Sequence, residues 1–130
     1  MGACAALLAA AAVLVAGAAL CLGRRYRRYA VSGASMLPAL RPGDWVIVDR
    51  EAYRVADARG GEIALALDPR DARRTLVKRV AGLDGAGAVR LLGDHAAAST
   101  DSRTLGAFPP ALLLGRVRWR YWPPPLGRVR

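Results

Sequence analysis

Residues 3–22, ACAALLAAAAVLVAGAALCL, carry no charged side chain over 20 consecutive positions, and no other feature limits the chain's architecture as strongly. A helix of that length spans about 30 Å, the thickness of a bilayer's hydrocarbon core. Leu7, Leu8, Val13, Leu14, Val15, Leu20 and Leu22 each favour insertion by about 0.3–0.6 kcal/mol, about 2–4 kcal/mol together. A cleaved signal peptide is the competing reading. Against it, no Lys or Arg precedes the run, and the run outlasts a signal peptide's apolar core. Residues 1–23 are therefore expected to be a transmembrane anchor.

Arg24, Arg25, Tyr26, Arg27, Arg28 and Tyr29 follow directly. Guanidinium groups suit lipid phosphates and phenol rings suit the boundary layer, so 24–29 reads as a basic interfacial linker with anionic lipid headgroups as partners. Its charge pulls the orientation towards the cytoplasm by the positive-inside rule, a bias that weakens for translocated domains. The formal net charge of +10 fits nucleic acid, anionic lipid or a solvated basic surface equally well.

Beyond residue 30 the pattern is strand-like. Trp45–Val48 follows a Pro-Gly turn, Ile63–Leu67 follows Gly60 and Gly61, and Thr75–Val80 and Ala88–Leu92 flank a turn at 82–85. From Leu113 to Trp122 the period is two: Val117, Trp119 and Tyr121 on one face, Arg116, Arg118 and Arg120 on the other. Pro123–Pro125 ends that run, and 123–130 is expected to be a frayed Pro/Arg tail. The fold class expected for 30–122 is an all-β domain of short, mainly antiparallel strands behind one transmembrane α-helix.

Nineteen of the 20 basic residues are Arg; Lys78 is the one Lys. Arg keeps its proton in proteins, whereas Lys can become a neutral amine when desolvated, which makes Lys78 a candidate base. His95 is the single His, and its neighbour Asp94 would point to the opposite face of an extended chain, which argues against a Ser-His-Asp triad. Cys4 and Cys21 lie in or beside the apolar run, so the rest of the chain has no disulfide framework. Neither a metal nor a cofactor is expected, since no ligand spacing is present. A Ser–Lys dyad is chemically sufficient. Bringing the amine from about 10.4 to about 8 costs roughly 3 kcal/mol, which an apolar pocket can supply. In a strand, Lys78 shares a face with Leu76 and Val80.

Three segments carry a resemblance. Ser32–Leu40 with Arg41–Asp44 resembles the nucleophile box of type I signal peptidases, and Lys78–Leu83 resembles their lysine box. Gly93 and Asp94, then Ser99–Arg103 and Gly106, resemble their last box. The resemblance covers about residues 30–122, in the family's order. It implies Ser35 as nucleophile and Lys78 as general base. Ser99 is implied to orient the lysine, Asp101 and Arg103 to form a supporting ion pair, and Ser102 to help structurally. Met36 and Pro38 are implied to set the nucleophile turn. Substrate contacts are implied at Val31, Ser32, Gly33, Ala34, Met36, Leu76 and Val77, with an extended peptide lying beside 31–34 and 75–78. Where some relatives carry a second, hydroxyl oxyanion donor, this chain has Gly33.

The resemblance implies a signal peptidase-like serine endopeptidase cleaving after small residues, the A-x-A pattern of secretory signals. Its partners would be precursor proteins rather than nucleic acid. The expected location is single-pass in the cell (plasma) membrane, with the catalytic domain extracytoplasmic. Two alternatives stand beside it: a maturation protease of the same family serving one partner, such as nickel superoxide dismutase, and a non-catalytic basic membrane scaffold. His95, Asp84 and Glu62 depart from the family's usual Asn, Pro and Asp; none of the three is a proposed catalytic group. The large inserted β-domain of long family members is absent, so the chain resembles a minimal member.

Overall fold

Alanine and leucine favour helix throughout residues 3–22, and the computed structural model, which describes residues 2–130, carries one helix there. This helix, α1 (Gly2–Arg25), has 24 residues and none is buried. At about 36 Å it is long and apolar enough to cross a membrane. Cys4 and Cys21 are free thiols on its surface.

The remainder is a sheet built from β1 (Tyr26–Ala30), β2 (Trp45–Asp49), β3 (Ile63–Asp68), β4 (Asp71–Leu83), β5 (Val89–Leu92), β6 (Leu113–Trp122) and β7 (Gly127–Arg128). The order is β1-β2-β6-β3-β4-β5, with β7 beside β6, and every pairing is antiparallel. Two single-turn helices, α2 (Ala52–Val55) and α3 (Ser102–Leu105), lie in the connections. An apolar helix followed by an antiparallel all-β domain is the architecture the strand-like pattern implied.

The core has two halves. Val31, Met36, Leu40, Val46, Val48, Ile63, Leu65, Val77 and Val117 form one, and Ala58, Ala64, Ala66, Leu76, Val80, Val89, Leu91 and Phe108 form the other. Alternate residues of β3 and β4 serve opposite halves, so these two strands are covered on both faces. Lys78 therefore stands in a stretch of strand that is largely buried on both faces.

Two local expectations need correction. The basic segment expected to be a linker is a strand from Tyr26 onward, pairing Tyr26–Ala30 with Asp49–Trp45. Its tyrosines hold it: Tyr26 packs on Trp119 at 6.0 Å between ring centroids, and the Tyr29 hydroxyl shares a 2.9 Å hydrogen bond with Thr75 Oγ1. The C-terminal tail, expected to fray, turns back so that Trp119 and Arg120 face Arg128 and Gly127, and the Val129 N–H donates to Arg118 O at 3.0 Å. The arginines of β6 meet acidic side chains. Arg116 pairs with Glu62 at 2.9 Å, Arg118 with Asp49 at 3.2 Å, and Arg120 approaches Asp44 at 3.9 Å.

Candidate active site

The Ser35 loop is pinned at its base by β1 and β2. The Val31 N–H donates to Asp44 O and the Gly43 N–H to Val31 O, both at 2.8 Å. Inside the loop, Leu37 N–H donates to Ala34 O at 3.2 Å and Leu40 N–H to Met36 O at 3.0 Å. Met36 and Leu40, each 1% exposed, anchor the turn in the core. Gly33 has φ +79°, a left-handed conformation that glycine enters without a Cβ clash. Ser35 emerges half-buried between the exposed Ser32–Gly33 pair and the buried Met36.

The last box closes on this loop from the other side. The His95 N–H donates to Ser35 O at 2.8 Å, while the His95 side chain is exposed. Gly93 is tightly enclosed: a Cβ there would collide with the Ser99 side chain and lie 2.8 Å from Ser35 O. Asp94 accepts two 2.7 Å hydrogen bonds from the Arg79 guanidinium, which also donates to Gly61 O at 2.8 Å. Asp94 is thus committed to Arg79.

Asp101 is the hub beneath. One carboxylate oxygen accepts from Gly93 N–H at 2.8 Å and from Ser99 Oγ at 2.6 Å, and the Arg103 guanidinium pairs with it at 3.1 Å. The other oxygen caps α3 by accepting from Arg103 N–H at 3.0 Å. Burial by itself would raise the Asp101 pKa; these donors and the guanidinium together hold it below the ordinary carboxylate range. Arg103 also donates to Gly93 O at 2.9 Å, and Ser102 Oγ accepts from Leu91 N–H at 2.9 Å, tying α3 to β5.

Lys78 is 4% exposed. It faces Ala64 across the β3–β4 pair and sits between Leu76 and Val80 on the strand. Burial lowers its pKa; the Asp101 carboxylate works against that shift, and the charges of Arg74 and Arg103 reinforce it. Among the described residues no carboxylate is ion-paired to it. Ser35 and Lys78 line one cleft of about 330 Å³.

Of the implied substrate contacts, Ser32, Gly33, Ala34, Leu76 and Val77 line that cleft. Val31 and Met36 lie behind it, with their side chains in the core. Ser99 gives its proton to Asp101, and no hydrogen bond joins it to Lys78 among the described residues. Tyr29, Arg73, Arg74, Thr75, Ala98 and Thr100 line the cleft as well; of these, only Thr75 lay in a segment marked for substrate. Among the described residues, His, Cys, Asp and Glu form no cluster able to hold a metal ion.

The model of the family described as "Signal peptidase, peptidase S26" matches residues 4–87 and 85–122. The chain belongs to the S26 signal peptidase family. Among similar proteins is the Arabidopsis thaliana mitochondrial ATP-independent inner membrane protease subunit 1a, 33% identical over 81% of this chain and 79% of its own length. The human mitochondrial inner membrane protease subunit 1 is 32% identical over 71% of this chain and 67% of its own. The zebrafish subunit 2 is 30% identical over 72% and 63% respectively. S26 membership identifies a peptidase of the signal peptidase type, and α1 gives this member a helix of membrane-spanning length.

Proposed function

We propose that this S26 peptidase is a membrane-anchored serine endopeptidase that removes signal or leader peptides from precursor proteins, with Ser35 as nucleophile and Lys78 as general base. One observation carries the reading: the single Lys of the chain is desolvated in a cleft that it shares with Ser35. A neutral amine can accept a proton, and burial moves Lys78 in that direction.

As Ser35 Oγ attacks the scissile carbonyl carbon, its proton passes to Lys78 Nζ. The oxyanion takes the N–H of Ser35 as donor. When the C–N bond breaks, the Lys78 ammonium returns the proton to the departing amine, leaving an acyl-serine. Water then attacks the ester, Lys78 accepts its proton, and that proton restores the Ser35 hydroxyl as the acid leaves. Ser99, its own proton held by Asp101, offers a lone pair to orient the amine.

Peptide binding has a physical basis in the strand edges. Among the described residues β1 pairs only with β2, and β5 pairs with β4 only from Arg79 to Leu83, so residues 71–78 present an open edge on that side. Segments 31–34 and 75–78 can each pair with an extended peptide. A cleft of about 330 Å³ fits small side chains next to the cleaved bond. We place the anchor in the cell membrane with the catalytic domain outside the cytoplasm. The domain itself satisfies Arg25 of the basic flank, which makes a bidentate pair with Asp49 at 2.9 Å.

Purified full-length protein in lipid, incubated with precursors bearing small residues at the −1 and −3 positions, tests the assignment. Ser35→Ala, Lys78→Ala and Lys78→Arg are each expected to lose at least about 10³-fold in kcat. Parent activity should rise with pH as Lys78 loses its proton, with a midpoint below 10.5. Equal cleavage by the parent and all three variants would end the proposal. Protease accessibility of the domain in sealed vesicles reads the orientation.

A further inference from the structure

A second concavity, larger than the catalytic cleft, opens beside β1, close to the end of α1. Its volume is about 570 Å³, within the range of small-molecule sites. Arg27, Arg28, Arg50 and Arg54 stand around it, and Tyr53, Pro110, Leu113 and Leu114 contribute apolar surface. No Asp or Glu lines it. All four arginines are exposed, and the one ion pair among them joins Arg54 to Glu51 at 3.2 Å.

Position decides what fits. Arg27 lies two residues beyond the end of α1, and the Arg50 N–H donates to Arg25 O, the last carbonyl of that helix, at 2.8 Å. With α1 across the bilayer, Arg27 and Arg28 of the groove lie at headgroup level. Four guanidinium groups over an apolar floor match a ligand with an anionic phosphate and a hydrocarbon body. A precursor's apolar segment would match the floor and leave the arginines facing one another without counter-charge.

The geometry points to a binding site for one anionic phospholipid in this groove, its phosphate held by Arg27, Arg28, Arg50 and Arg54 and its upper acyl chain against Tyr53, Pro110, Leu113 and Leu114. The inference rests on α1 spanning a membrane and not on the Ser35–Lys78 assignment, so either can fail without the other. The same groove reaches Tyr29, which also lines the catalytic cleft.

The test is intact-complex mass spectrometry of full-length protein released from micelles containing equal phosphatidylglycerol and phosphatidylcholine. One retained phosphatidylglycerol per chain is expected. The double variant Arg50→Ala/Arg54→Ala should retain it at least about tenfold less. Ala111→Trp, at an exposed lining position, fills the groove without changing charge and should lose the lipid similarly. Arg90→Ala, an exposed arginine of β5, should behave as the parent; thermal melts matching the parent's establish that the variants are folded. Equal retention of phosphatidylcholine would overturn the inference. So would full retention by Ala111→Trp, which would mean diffuse surface attraction, or displacement of the lipid by a precursor peptide, which would give the groove to substrate.

Discussion

Lys78 is costly to keep where it is. Burial penalises its ammonium, so the folded chain binds that proton less tightly than the unfolded chain does. Below the folded pKa the whole penalty weighs on stability; it is relieved as pH climbs towards the unfolded value near 10.5. Lys78→Met, similar in length and apolar, should therefore be inactive yet melt a few degrees higher at neutral pH. Its advantage should shrink steadily on going to pH 10 in a series of thermal melts. A lower melting temperature at pH 7 would mean that Lys78 is not held against a desolvation cost. Gly93 is the opposite case, a residue with no room to grow. Gly93→Ala puts a methyl group against Ser99 and 2.8 Å from Ser35 O, and overpacking of that kind costs about 1–3 kcal/mol. Denaturant titration should show that loss together with reduced cleavage, because the strain falls on the loop that carries Ser35.

Among the elements, β4 and the Gly93–His95 loop are joined by a chain of contacts that ends on Ser35. Arg79 holds Asp94 through two hydrogen bonds, and the next residue, His95, gives its N–H to Ser35 O. Under the proposed mechanism Arg79 is a positioning residue, touching no reacting atom. Arg79→Gln should lower kcat by about tenfold with little change in KM, and Arg79→Lys should recover part of it. A change confined to KM would show that the loop serves binding. These contacts left no trace in the sequence. The partners of Arg79 are an Asp 15 positions away and a carbonyl 18 positions away, and the Ser35–His95 bond uses backbone atoms common to every residue. Strand positions were far more legible. β2, β3, β5 and β6 fall on β-branched or alternating runs between Gly and Pro turns. β1 was hidden because three of its five residues, Arg27, Arg28 and Ala30, are exposed, and the two that hold it are tyrosines whose partners lie in β6 and β4.

For the molecule as a whole, Asp49 ties the membrane helix to the sheet. It is fully buried and binds Arg25 at the end of α1, Arg118 of β6 and the Glu51 N–H. Hydrogen bonds from Arg25, more than any other group, hold its pKa below the ordinary 3.8 against the cost of burial. Asp68 is likewise held at about 2, chiefly by Arg70. A carboxylate with a depressed folded pKa contributes stability that is complete above its unfolded value and is lost as pH falls through the folded one. Unfolding free energy should thus lose nothing to these two groups down to pH about 4 and fall steeply towards pH 2. Asp49→Asn should cost about 2–3 kcal/mol at pH 7, discounted because Arg25 is partly exposed, and should flatten the acid limb. An unchanged acid limb would show that Asp49 is not one of its sources.

From residue types and their order alone come the membrane-length helix, the run of short strands, and a single amine able to act as a base. These properties reside in local composition: apolar length, β-branched periodicity, and the difference between one Lys and nineteen Arg. Whether that amine is dry, and what shares its cleft, was settled by residues far away in the chain. Ala64 faces it from β3, and the Ser35 loop, held by His95, supplies the other wall. Desolvation is a property of everything packed around a group, so it exists only once distant strands have paired.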